Sequence, residues 1–167
     1  MNTKEEIAVK MILAAWQSQQ ESINKTLSVL SDEDLNAEVA TGKNKAIWIV
    51  GHLAVVNDRL FSILELGEKI GSNYEEYFYN GETKTEVPSA DGARKYWENT
   101  STLLNKKIAN FTTNDWFQKH ALVSAEDFAK EPHRNKLNVL INRTNHMAHH
   151  GGQLAFLVKK WLKEKVI

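Results

Sequence analysis

The sequence predicts an all-α protein, a four-helix bundle with long connections between helices 2 and 3 and between helices 3 and 4. Two prolines and eight glycines in 167 residues leave room for long uninterrupted helices. Apolar residues recur at spacings of three and four along four segments, which is the period of amphipathic helices. With 42% hydrophobic residues and nothing that suggests a second domain, residues 1–167 are expected to form a single domain.

The first predicted helix covers residues 3–30. Its apolar stripe, widened by Trp16, consists of Ala8, Ile12, Ala15, Gln19, Ile23, Leu27 and Leu30. Polar residues 31–34 offer a new helix N-terminus and predict a short helix before the region of Gly42.

The second predicted helix covers residues 46–66, and Gly67 is expected to end it. Its apolar face consists of Ile49, Leu53, Val56, Leu60 and Ile63. The connection that follows, residues 67–88, lacks periodicity and carries the aromatic residues Tyr74, Tyr77, Phe78 and Tyr79. Two interpretations are open: the rings plug one end of the bundle, or the segment is a lid over a site.

The third predicted helix begins after the cap Ser89 and ends near Asn110. Its apolar stripe consists of Ala93, Trp97, Thr100, Leu104, Ile108 and Phe111. The next connection, residues 112–134, has no clear fold, and residues 113–115 offer a cap for a further short helix. The fourth helix is predicted over residues 135–163.

Three of the six histidines lie close together on the fourth predicted helix. His146 and His150 are four residues apart and share one helix face, a spacing that suits two imidazoles on one metal ion. Gln153 lies on the same stripe, within about 40° of His146. His149 lies about 100° from His150, on the predicted solvent side.

His52, inside the second predicted helix, is the candidate for a third ligand. It lies within about 60° of that helix's apolar stripe, from which it can reach the opposing helix of an antiparallel bundle. The alternative is a core histidine bonded to a carbonyl oxygen. His120 and His133 lie among polar neighbours and are expected at the surface.

Other polar residues have two interpretations each. Gln153 either hydrogen-bonds a ligand or one of the imidazoles, or ties two helices together. Arg59 either clamps an anionic substrate or forms a surface salt bridge. The catalytic group is unidentified: a metal-bound water or thiol, Asp58, Glu65 or a carboxylate in a connection are the candidates.

Two segments resemble those of the DinB/YfiT-like superfamily of four-helix-bundle metalloenzymes. Segment AIWIVGHL, residues 46–53, is similar to the family's W-x-x-x-H-aliphatic motif. Segment HMAHHGGQL, residues 146–154, is similar to its H-x-x-x-H-R-G-Q-aliphatic motif, with Gly151 where many members have arginine. The resemblance carries the family's metal triad to His52, His146 and His150.

The resemblance implies a divalent metal ion, zinc or nickel, with positions open to water or substrate. Family members include thiol-dependent S-transferases that use bacillithiol, mycothiol or glutathione, and hydrolases. The expected function is therefore a metal-dependent S-transferase or hydrolase acting on a small molecule, with a low-molecular-weight thiol as cosubstrate. The alternative is a non-catalytic helical bundle that binds a metal, a ligand or a partner.

Composition limits the partners and the cellular location that we expect. With 21 basic and 21 acidic side chains, no net field favours nucleic acid or an anionic membrane. No cysteine is present, which excludes disulfides and is compatible with a reducing compartment. A signal peptide is not evident, and no apolar stretch is expected to reach the roughly 18 residues of a membrane span. A cytoplasmic location is expected.

The fourth predicted helix also suggests oligomerisation. A second apolar band leaves only about a quarter of its circumference polar. The band consists of Leu137, Leu140, Ile141, Thr144, Ala148, Gly151, Ala155, Val158 and Leu162. The other three helices cover this band, or it forms a homodimer contact to which Phe156 contributes.

Overall fold

The computed structural model describes residues 3–71, 74–79 and 88–164, and side chains as far as residue 158. The described residues form eight helices and no β-strand, which confirms the all-α prediction. The helices are α1 (Lys4–Val29), α2 (Asp32–Asn36), α3 (Ala46–Ile63), α4 (Glu75–Phe78), α5 (Ala90–Ile108), α6 (Thr113–Trp116), α7 (Ala125–Lys130) and α8 (Lys136–Glu164).

The four long helices form the bundle. Helix α1 packs along α8, α3 packs along α5, and α3 also contacts α8. The seam between α1 and α5 is bridged by polar side chains rather than closed by apolar ones. The indole nitrogen of Trp16 donates to Asn105 Oδ1 at 2.9 Å, and that of Trp97 donates to Asn24 Oδ1 at 2.8 Å. These bonds satisfy two indole N–H groups that burial would otherwise leave unpaired.

Helix α1 begins where predicted, because Thr3 and Glu6 form a capping box. The predicted apolar stripe is largely confirmed: Trp16, Ile23, Leu27 and Leu30 are buried, and Ala8, Ile12 and Gln19 are half-buried. Ala15 is the exception, being exposed, while Val9 and Gln20 are buried beside the stripe. Burying a large aromatic ring contributes more than burying alanine, so the indole determines which face of α1 turns inward.

Helix α3 ends at Ile63, three residues before the predicted end. Its C-terminus is a Schellman motif, in which Leu66 N donates to Phe61 O at 2.7 Å and Glu65 N to Ser62 O at 3.3 Å. Glu65 takes the left-handed position, with φ of 61°. The end predicted from Gly67 is therefore three residues too late, because Glu65 occupies the left-handed position that usually favours glycine.

Helix α3 is also more apolar than expected. It is 18 residues long with a mean hydropathy of 1.3, so by length and composition it could cross a membrane, contrary to the sequence expectation. However, 78% of this helix is buried inside the protein. It lies at the centre of the bundle, and burial on almost all sides explains its hydrophobicity.

The connection after α3 is anchored to that helix by Asp58, which is 2% exposed. Its carboxylate accepts from Ile70 N at 2.8 Å, Gly71 N at 3.0 Å and the Tyr96 hydroxyl at 2.8 Å. The segment predicted without periodicity contains α4, while Gly81 and the other residues of 80–87 lie outside the described part.

The second connection contains two short helices, α6 and α7, where the sequence suggested one. Thr112, one residue before the predicted cap, forms a capping box with Asp115. Helix α8 begins at Lys136, where Asn135 Oδ1 accepts from Asn138 N at 2.9 Å. It extends to the end of the described residues, close to the predicted 135–163.

Helix α8 is less enclosed than predicted. Ala148 is exposed, as are Ile141 at 36% and Phe156 at 61%. The reason is that α1 and α3 cover only the inner arc of this helix. Its buried apolar side chains are Leu137, Leu140, Met147, Leu154 and Leu157. The homodimer contact remains a prediction.

Candidate metal centre

Helices α3 and α8 bring together three half-buried histidines. His52 comes from α3, and His146 and His150 come from consecutive turns of α8. One ring nitrogen from each lies within 4.8 Å of the others, and the Nε2 atoms of His52 and His146 are 3.2 Å apart. Two nitrogens at 2.0–2.1 Å from one tetrahedral zinc ion lie about 3.3 Å apart, which is similar to this separation.

The protonation of His52 is determined by the connection that follows α3. Its Nδ1 lies 2.7 Å from the carbonyl oxygen of Phe78, which can only accept a hydrogen bond. Nδ1 therefore carries the proton, and a neutral ring presents a lone pair at Nε2. This is the carbonyl bond expected of a core histidine, and it also prepares Nε2 as a metal ligand.

Gln153 plays the corresponding part for His150. Its Oε1 lies 2.8 Å from Nδ1 of His150, so that ring nitrogen donates and Nε2 again holds the lone pair. The amide nitrogen of Gln153 lies 3.3 Å from Nε2 of His149, which accepts. Both of these contacts lie within α8, and neither ties two helices together. His149 is exposed, as predicted, but orients Gln153.

His146 completes the donor set. Its Nδ1 is buried and has no hydrogen-bond partner, while its Nε2 faces Nε2 of His52. Because the lone pair of His52 occupies that contact, Nε2 of His146 carries the proton when no metal is bound. Lone pairs from His52 and His150 thus converge near a third imidazole, and this donor set fits a divalent metal ion.

All three imidazoles are held in the neutral form that metal ligation requires. Burial lowers the pKa of His52 and of His150 below the ordinary value. Burial and the neighbouring His150 and His52 lower the pKa of His146 to about 4. The cluster is therefore uncharged at pH 7.

Aromatic residues form the walls around His52. The Trp48 ring stacks on the imidazole with centroids 4.8 Å apart, and Tyr79 lies 6.4 Å away on the side of α4. Phe78 is fully buried, whereas Tyr79 is 42% exposed. Phe78 thus fills the bundle, as one interpretation predicted, and Tyr79 lies beside the cluster; the lid stays a prediction.

Arg59 forms the salt bridge expected in one of its two interpretations. Its guanidinium lies 2.8 Å from Glu75 and 4.0 Å over the Tyr79 ring. Lys69 pairs with the same carboxylate. These contacts attach α4 to α3 beside the cluster.

The candidate bases have other partners. Both oxygens of Asp58 accept hydrogen bonds that anchor the first connection. Glu65 is paired with Lys136 at 2.9 Å. Of the other histidines, His133 is exposed as predicted, while His120 is half-buried and accepts from Leu122 N at 3.2 Å.

Gly51 is a determinant of the site that sequence reasoning missed. A Cβ atom at this position would overlap the Phe78 ring, so only glycine lets Phe78 pack close enough for its carbonyl to reach His52. The signal was a glycine inside a helix, where it costs about 1 kcal/mol relative to alanine. Gly151, in contrast, faces α1, where an added Cβ would lie 3.0 Å from Ile23.

The comparisons with known proteins identify a family. A family model described as DinB superfamily matches residues 15–154, a range that includes all three histidines. Among curated proteins, no match to the chain is found.

Gly51→Ala is expected to destabilise the protein, because the added methyl group displaces Phe78. Overpacking of this kind costs about 1–3 kcal/mol and outweighs the gain in helix propensity. Urea unfolding measures the change. Gly152→Ala is the matched control: it also places alanine in a helix, but its Cβ meets nothing within 4 Å, so stability is expected to rise. Equal stability of Gly51→Ala and wild type would contradict the packing argument.

Acidification is expected to destabilise the metal-free protein between pH 6.5 and 5. The folded-state pKa values of the three imidazoles are lowered, so the unfolded chain binds more protons and unfolding becomes easier as pH falls through 6.5. Above that pH the imidazoles are neutral in the folded and the unfolded chain, and this destabilisation is absent. Urea unfolding with a chelator at pH 7.5, 6 and 5 measures this effect.

His146→Asn is expected to reduce this pH dependence without abolishing it. The pKa of His120 is also lowered by burial, and His120 remains in the variant. An identical pH dependence in wild type and His146→Asn would show that the cluster does not titrate as described.

Proposed function

Since the chain belongs to the DinB superfamily, we propose that it binds one divalent metal ion through His52, His146 and His150 and acts as a metal-dependent enzyme. The observation that carries the proposal is the hydrogen bonding behind the imidazoles. The Phe78 carbonyl and the Gln153 amide oxygen each hold a proton on Nδ1, which leaves the lone pair on Nε2, and one ring nitrogen of each histidine lies within 4.8 Å of the others. Such hydrogen bonds orient the ligands and increase their basicity.

Three neutral nitrogen ligands match catalytic rather than structural zinc sites, which usually complete four protein ligands. Zinc or nickel is the proposed ion, since imidazole suits both. When bound, such an ion acts as a Lewis acid and lowers the pKa of a coordinated water or thiol. Aromatic rings of Trp48 and Tyr79 lie beside His52 and would form one wall of the pocket for a substrate.

The proposed reaction is thiol S-transfer to, or hydrolysis of, a small molecule. The chain has no cysteine, so the thiol in an S-transfer would come from a cosubstrate. Thiolates are good zinc ligands and strong nucleophiles, which supports S-transfer as the first choice.

The second candidate is a non-catalytic metal-binding bundle. It is favoured by the engagement of two candidate bases, because the carboxylates of Asp58 and Glu65 form other hydrogen bonds. Only the first candidate, the metal-dependent enzyme, is expected to convert a substrate to product. A panel of electrophiles tested with several low-molecular-weight thiols, followed by a panel of esters and amides, distinguishes them: metal binding without any product favours the second.

Protein purified without a histidine tag and loaded with zinc is expected to retain close to one ion per chain. His146→Ala removes a ligand at the centre of the cluster and is expected to abolish retention. Elemental analysis after dialysis measures the ratio. His133→Ala, which removes an exposed histidine, is the matched control and should retain the metal. A folded wild type without metal would rule out the proposal.

Gln153→Met is expected to weaken metal binding by about 10–100-fold, because the Nδ1 proton of His150 loses its acceptor. Competition with a chromophoric chelator measures the affinity. Gln153→Glu, which keeps an acceptor oxygen, should preserve it. If both variants bind as wild type does, the amide does not support the ligand.

A further inference from the structure

Arg143 lies one helical turn before His146 on α8 and is half-buried. Its Nε is buried without a hydrogen-bond partner. Within residues 3–71, 74–79 and 88–158, no carboxylate forms an ion pair with Arg143. Leaving a buried guanidinium nitrogen without a hydrogen-bond acceptor is costly, so the arrangement favours an anion beside Arg143.

The surroundings of Arg143 place it beside the proposed metal ligands. Together with burial, its positive charge lowers the pKa values of His52 and His146, and burial and the charge of Arg59 in turn lower the pKa of Arg143. Tyr79 lies between Arg59 and His52, at 4.0 Å from the guanidinium carbon of Arg59 and 6.4 Å from the His52 ring. Because side chains three residues apart on a helix are neighbours, Arg143 lies beside His146.

Arg59 and Arg143 differ in whether a carboxylate already pairs with them. Arg59 is already paired with Glu75 at 2.8 Å, so its charge is largely compensated. Arg143 has no such carboxylate partner among the described side chains, and its Nε makes no hydrogen bond. The planar guanidinium matches a carboxylate, which it binds through two parallel hydrogen bonds.

We propose that Arg143 binds the carboxylate of a small substrate or cosubstrate whose other end reaches the three-histidine cluster. This inference rests on the proposed function and specifies its substrate class. Side chains three residues apart on a helix are neighbours, with Cβ atoms about 5–6 Å apart. The ligand is accordingly a short acid, with few bonds between its carboxylate and the group that reaches the metal.

Two thiols that differ only at the far end provide the test. 3-Mercaptopropionate carries a carboxylate where 3-mercapto-1-propanol carries a neutral hydroxymethyl group. Each is titrated into cobalt-loaded protein, and the thiolate-to-cobalt absorption reports binding. Wild type is expected to bind the acid at least about tenfold more tightly, as for a hydrogen bond between charged groups.

Arg143→Met keeps most of the side-chain volume and is expected to reduce this preference to about onefold. Arg143→Lys, which retains the charge without the planar donor pair, should fall between the two. Arg134→Met is the matched control, since Arg134 pairs with Glu131 in the second connection, and it should keep the wild-type preference. Removing Arg143 should also increase the affinity for cobalt itself, because a like charge is lost.

The outcomes separate this inference from the proposed function. Normal cobalt content with no preference in wild type, or with an unchanged preference in folded Arg143→Met, overturns the role of Arg143. If the protein binds no cobalt, the proposed function fails, and the role of Arg143 is then tested on the metal-free protein. Sodium propionate, compared with sodium chloride at equal ionic strength, should then raise the Tm of wild type but not of Arg143→Met or Arg143→Gln. Equal shifts in all of them overturn the inference.

Discussion

The hydrogen bond between His52 and the Phe78 carbonyl is the contact on which the site depends. It determines which ring nitrogen of His52 carries the proton, and it attaches the connection after α3 to the centre of the bundle. It also requires close approach of Phe78 to α3, which glycine at position 51 permits. A single 2.7 Å bond therefore links helix packing, the course of a connection and the chemistry of a ligand. On α8, Gln153 does the same for His150 within one helix.

The charged side chains near the cluster are mostly used to hold the fold. Asp58 satisfies two backbone N–H groups and a tyrosine hydroxyl, and Glu75 joins Arg59 and Lys69. These acids attach the described part of the first connection to α3, and their hydrogen bonds engage them away from proton transfer. Burial keeps the imidazoles neutral, so they add no charge to the site. Arg143 adds a positive charge, which no carboxylate among the described residues compensates. The site is thus suited to a cation held by nitrogen and an anion held beside it.

Local sequence was sufficient wherever neighbouring residues decide the structure. Capping residues located the starts of α2 and α5, because their hydrogen bonds involve residues only three positions away. The i, i+4 spacing indicated that His146 and His150 share a face and that His149 does not, since helix geometry alone determines this. The third histidine, His52, was identified by its position on an apolar face and by resemblance to the family. Its distance from the other two was not readable from the sequence.

Contacts between distant residues decided the rest. The end of α3 follows from a left-handed Glu65 that no propensity favours, and the burial of Gln20 on α1 accompanies a hydrogen bond from the distant Asn105. The partner of His52 is a backbone carbonyl, which any residue type supplies, so no pattern of letters can point to it. Likewise, the sequence does not show whether a given arginine will form an ion pair with a carboxylate in the folded protein. Periodicity and capping are local and therefore readable from sequence, whereas hydrogen-bond partners and unpaired charges depend on how the helices pack.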